Sequence, residues 1–320
     1  MKFLPCLLSL VVLCSPAFAG TGEPTAMELL KVGKVDQAIQ NLNGRVAANP
    51  KDAAAYAELC RVYASYADID NAIPNCERAT QLKPDVARYH LWLGRVYGDK
   101  ADRSGIFGGI GWAKKTLAEF ERAVQLDPND LDARSDLTEF YREAPGMVGG
   151  NSEKAHRLVA ETEKIDPITA AVLRAQFALK DKDYSTAEVE VKKAVELSDG
   201  SAQYLLELAR IYGKQKHWTD LEGTIRKAME SKKKRPSDVF DAADMLIGFG
   251  RNLNGAVELL RSYLAGTMDE QDPAFRAHFL IGRAYEKQSK KTEAAEEYRA
   301  ALQLARNYRP AKQALDRVSN

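Results

Sequence analysis

The chain has almost no excess charge of either sign: 46 lysines and arginines face 45 aspartates and glutamates. Without Lys2, which lies in a segment read below as removable, the two sets balance. A neutral chain has no long-range field to steer it toward nucleic acid or an anionic lipid surface, so neither is expected as a partner. Histidine is scarce as well. His90, His156, His217 and His278 stand far apart, without the His-x-x-x-His spacing of a metal site. There is no Gly-x-Ser-x-Gly turn, no Cys-x-x-Cys pair, and no Gly-Lys-Ser/Thr after any glycine-rich stretch. Nothing in the chain assembles a catalytic constellation. We expect no enzyme, no metal and no cofactor.

Long apolar runs are missing too. The longest, Leu4 to Leu13, is shorter than the ~20 residues that span a bilayer. It follows Lys2 and precedes Ala17-Phe18-Ala19, the order of a secretory signal with its small-x-small cleavage site. Cleavage is expected after Ala19, leaving Gly20 first and no later membrane span. A lipoprotein signal using Cys14 would need a small residue where Leu13 stands. The protein is therefore expected to be exported, to the periplasm of a Gram-negative bacterium or otherwise secreted.

Cysteine is rare: four in all, of which Cys6 and Cys14 leave with the signal. Cys60 and Cys76 remain. Two readings stay open, a pair of buried thiols and a disulfide in an oxidising compartment. The disulfide would stabilise by up to about 3 kcal/mol in the chain-entropy model.

What the chain does have is a period. Pro50 and Pro84 lie 34 residues apart, and Tyr56, Leu59, Tyr63, Ala72, Ala79, Leu82 and Pro84 recur at fixed offsets. These offsets resemble the tetratricopeptide repeat (TPR), a 34-residue helix–turn–helix unit. Leu29, Gly33, Ala38 and Leu42 place a unit with a short first helix before it, a candidate N-terminal cap. Later units show Leu93-Gly94 with Tyr97, Leu137 with Tyr141, Ala187 with Ala194, Leu208 with Tyr212, and Ile281-Gly282 with Tyr285. Phe240, Ala256, Leu260 and Tyr263 match least well. Arg309 to Val318 reads as a terminal helix. The resemblance implies an all-α, right-handed superhelix of about seven or eight units over residues 20–320, closed by a C-terminal capping helix. It also implies a protein or peptide held in a concave groove, without catalysis.

Two units exceed the period. Excess residues fall between their helices, near 98–115 and 143–151, and carry Gly105-Ile-Phe-Gly-Gly-Ile-Gly-Trp112 and Ala144-Pro-Gly-Met-Val-Gly-Gly150. The second stretch is similar to one shared by a group of exported bacterial TPR proteins. We expect two loops leaving side by side. Their apolar residues Ile106, Phe107, Ile110, Trp112, Met147 and Val148 either plug the core or form a pocket for a lipid or small ligand, the alternative to the groove. Arg61, Arg95, Arg210 and Arg283 occupy one repeat position. They are candidates to pair with a partner's carboxylates, against internal pairing with acids such as Glu58 or Glu207. The Lys-Asn pair with which some TPR proteins hold a C-terminal carboxylate is absent. Lys232 to Arg235 reads as a solvated linker. Self-association through the poorly matching seventh unit is a further reading.

Overall fold

The structure, a computed structural model, describes residues 24–319, with nothing stated for the side chain of Ile106. The export signal, with Cys6 and Cys14, lies outside these residues. The described residues form eight antiparallel helix pairs and a final helix. The pairs are α1 (Ala26–Lys31) with α2 (Val35–Ala48), α3 (Ala53–Ser65) with α4 (Ile69–Leu82), α5 (Ala87–Arg103) with α6 (Gly105–Leu126), and α7 (Leu131–Glu143) with α8 (Ser152–Glu163). Then follow α9 (Pro167–Lys180) with α10 (Tyr184–Leu197), α11 (Ala202–Lys214) with α12 (Trp218–Glu230), α13 (Pro236–Phe249) with α14 (Leu253–Ala265), and α15 (Ala274–Lys287) with α16 (Lys291–Leu304). The final helix is α17 (Arg309–Ser319).

Local chemistry sets these boundaries. Asp52, Asp68, Asp130, Asn151, Asp166, Asp183 and Asn252 each accept a backbone N–H from the first turn of the helix they precede. Each capping oxygen satisfies a donor that the helix itself leaves free. The turns inside the pairs are also alike. Gly33, Ala67, Lys182, Lys216, Gly250 and Ser289 all take left-handed backbone, with φ between 60° and 80°. The N–H of the next residue returns to a carbonyl in the helix just ended, as in Asp68 to Tyr63 at 3.0 Å and His217 to Tyr212 at 2.9 Å. That is the helix stop expected of such a reversal.

Pairs join through repeated contacts. At Gly94 an added Cβ would stand 2.5 Å from the Phe120 ring, and at Gly282 it would run into the ring of Tyr298. Beside each glycine, a histidine of the first helix meets a glutamate of the second: His90 with Glu119 at 2.6 Å, His278 with Glu297 at 2.7 Å. The first-helix tyrosines reach back one unit. Tyr97 donates to Glu77, Tyr141 to Glu121 and Tyr212 to Glu188, at 2.6, 2.5 and 3.1 Å. Phe240, Leu246, Ile247, Leu260 and Tyr263 of the seventh pair are buried in the largest core cluster. The least regular unit thus spends its apolar positions inside the molecule.

The first glycine-rich insert is not a loop. Its residues lengthen both helices of the third pair, so that α5 has 17 residues and α6 has 22, against 13 and 14 in the second pair. The reason lies in the glycines: at Gly109 a Cβ would come within 2.7 Å of the Ala101 carbonyl, so its absence lets α6 press against α5. Trp112 packs on Tyr97 with ring centroids 5.5 Å apart. The second insert does leave the helix, as a 3-10 turn over Gly146–Val148 held by N–H bonds from Val148 and Gly150 to the Pro145 carbonyl. It docks on the middle of α6, with Gly149 against Leu117, and not beside the hairpin tip. The two inserts therefore do not emerge together.

Cys60 on α3 and Cys76 on α4 form a disulfide with a Cα separation of 5.1 Å, inside the range such a bond tolerates. The stack also closes on itself. Phe275, Ala301, Ala305, Tyr308 and Ala311 share one buried cluster with Leu29, Leu30, Val35, Ala38 and Leu42. Leu304 lies against Gly33, and Arg306 reaches Asp36 at 3.5 Å. The short first helix and the terminal helix, expected as separate end caps, belong to a single junction between the two ends of the described stack.

Candidate functional site

The first helices α3, α5 and α7, with part of α6, line a concave space of about 880 Å³ that the closing end of the stack borders. Three elements supply most of its charged side chains. From α5 come Trp92, Arg95, Asp99 and Asp102, spaced so that each lies about one helical turn beyond the last. From α7 come Asp136, Glu139, Phe140 and Glu143. Across from them stand Glu270 and Gln271, in the connector between α14 and α15, with Tyr308 and Pro310 from the closing end. Ala144, Pro145 and Val148 of the second insert complete one side.

The connector is fixed in place. The Tyr263 hydroxyl donates to the Asp272 carbonyl at 2.7 Å and accepts the Asp269 N–H at 2.6 Å. Arg276 bonds the Asp272 carboxylate at 2.9 Å. Held so, the connector carries Glu270 onto the guanidinium of Arg61, 209 residues earlier in the chain. Arg61 and Arg95 both lie over the Trp92 ring, 5.4 and 5.1 Å from its centroid.

The four arginines do not form one site. Arg61 and Arg95 line the cavity, whereas Arg210 and Arg283 lie outside its wall. Each has an internal carboxylate: Glu270 for Arg61, Asp136 at 2.5 Å for Arg95, Glu207 at 3.5 Å for Arg210, and Asp244 at 3.5 Å for Arg283. Glu58, considered as a partner for Arg61, pairs instead with Arg45. The insert residues also separate. Val148 is buried at the cavity wall and Trp112 is half-buried in the third unit's core, while Phe107 and Met147 are 90% and 70% exposed on different parts of the surface.

Charge in the wall is uneven. Six carboxylates face three guanidinium groups, a formal net of −3. Burial lifts the Asp136 carboxyl above the usual range, with Arg95 opposing the shift. Enclosure by the concave wall likewise lifts Asp99, with Arg103 opposing and Asp102 adding to the rise. Among the described residues, no group of three or more His, Cys, Asp or Glu side chains is arranged to hold a metal, and no helix is long and apolar enough to cross a membrane.

Trp92, Asp99, Glu139, Phe140 and Glu270 escaped the sequence reading. The α5 residues were within reach of it: 92, 95, 99 and 102 form a one-turn stripe beginning close to an arginine already singled out. Glu270 was not, because only the closure of the stack brings it to the groove.

Residues 246–309 match the family model of the tetratricopeptide repeat. The stack as a whole has the fold of a TPR superhelix with a C-terminal helix. The crystal structure of yeast Tom70 superposes with a TM-score of 0.56 at 14% identity, covering 94% of this chain and 65% of that one. That likeness speaks for the fold alone. A tetratricopeptide repeat protein from Parabacteroides merdae is 16% identical over 84% of this chain and 99% of its own, with a TM-score of 0.44. A TPR protein from Thermus thermophilus, also 16% identical, covers 69% of this chain and 95% of its own, with a TM-score of 0.43.

Proposed function

We propose that this TPR protein is a non-catalytic scaffold that holds a segment of another protein in its central cavity. The observation that carries the reading is the cavity itself. Inward-facing helices of successive units present charged groups, half-buried aromatics and backbone-fixed loops around one space. Such concave surfaces are how stacked repeats meet partners. Its size suits a few side chains of an inserted segment rather than a folded domain. Export to an oxidising compartment belongs to the same proposal. The pattern of residues 1–19 supports it, and so does the disulfide of Cys60 and Cys76.

A photo-crosslinking amino acid at Ser65, in the cavity wall, and at Val189, exposed elsewhere, tests the seat. A partner protein should be captured from Ser65 and not from Val189. Equal capture from both positions, or from Val189 alone, would refute it.

A further inference from the structure

The partner's chemistry can be read from which charges in the cavity are already matched. Every guanidinium in the wall is committed: Arg61 to Glu270, Arg95 to Asp136, and Arg276 to Asp272. A partner offering carboxylates would have to displace one of these. Three wall carboxylates are in the opposite position. Asp99, Asp102 and Glu139 are exposed to the cavity and make no ion pair or side-chain hydrogen bond among the described residues. Asp99 and Asp102 lie one turn apart on α5, and Glu139 projects from α7, so two walls of one concave space supply them. A concave low-dielectric wall focuses the field of unmatched charges. Trp92, Phe120 and Phe140 add apolar and aromatic surface to the same wall.

We infer that the cavity is built for a cationic segment. The partner is a peptide of another protein whose lysine or arginine side chains meet Asp99, Asp102 and Glu139, and whose apolar side chains lie on Trp92 and Phe140. This rests on the scaffold reading above and specifies its occupant. Recognition then runs opposite to the capture of an acidic partner by the arginine row, because the chain's own carboxylates already occupy that row.

The test uses the full chain and two fluorescein-labelled ten-residue peptides of glycine and leucine, one with four lysines and one with four glutamates, with fluorescence anisotropy as the readout. The lysine peptide should bind and the glutamate peptide should not. The triple variant Asp99→Asn, Asp102→Asn, Glu139→Gln should bind the lysine peptide about tenfold more weakly or worse near 50 mM salt, and the gap should narrow as salt screens the pairs. Glu196→Gln, a surface change away from the cavity, should leave affinity unchanged. Equal affinity of the triple variant overturns the inference. So does tighter binding of spermidine than of the lysine peptide, since that assigns the site to a free polyamine. Crosslinking of the glutamate peptide from Ser65 also overturns it but leaves the scaffold reading standing. If neither peptide crosslinks from Ser65, the scaffold reading falls with it.

Discussion

Asp272 shows how much one side chain can be asked to do in a connector. It is buried, it receives Arg276, and its carbonyl anchors Tyr263. Burial pushes its carboxyl up to about 6, with Arg276 opposing and Asp241 and Asp269 adding to the rise. The folded state therefore holds this proton more tightly than the unfolded chain does. Its contribution to stability is complete below about pH 4 and is lost as pH climbs through about 6. Asp272→Asn should flatten the fall in stability between those values by about 1–2 kcal/mol. Urea midpoints at pH 4.5, 5.5 and 6.5 would read it, and an unchanged slope would show that Asp272 titrates as it does unfolded. None of this was visible in the sequence, where Gly266 to Pro273 is a polar stretch with nothing to mark one of its acids as buried. The small positions were legible. Gly94 and Gly282 stand where a ring must pass, and a repeat pattern encodes such local collisions directly.

At the scale of elements, the left-handed turn is the feature to test. Four of the six equivalent turn positions carry side chains where glycine would be unstrained: Ala67, Lys182, Lys216 and Ser289. Left-handed backbone costs a non-glycine residue about 1–2 kcal/mol, partly offset by the lower unfolded-state entropy relative to glycine. Lys216→Gly should therefore stabilise the protein by about 0.5–1 kcal/mol, as a higher melting temperature; a lower one would mean the lysine makes a contact that outweighs the strain. The helices themselves were readable because their apolar spacing and capping aspartates are local signals. The first insert defeats a sequence reading because glycine has two uses. A stretch dense in glycine suggests a loop, whereas here the missing side chains let two lengthened helices touch at Ala101 and Gly109. Only the facing helix tells the two apart.

For the whole molecule, the governing fact is that the first and last helix pairs of the described stack meet. Phe275 lies at the centre of that junction, fully buried among residues of the first and last units and stacked edge-on against Tyr308. Phe275→Ala should cost about 3–5 kcal/mol and loosen the closure. Small-angle scattering should then show a larger radius of gyration with helix content preserved; an unchanged radius would mean that other contacts suffice to keep the ends together. The closure lay beyond the sequence because superhelical pitch accumulates from small rotations at every unit, and no single residue records the sum. It has a consequence for how the chain comes to exist. Ordinary repeat arrays tolerate gain or loss of a unit, since each contacts only its neighbours. Here one added or deleted repeat would carry Leu304 past Gly33 and Glu270 past Arg61, so the number of units is itself under constraint. During synthesis, moreover, the surface beside Gly33 must wait, uncovered, until Ala274 of α15 and Leu304 of α16 have been made.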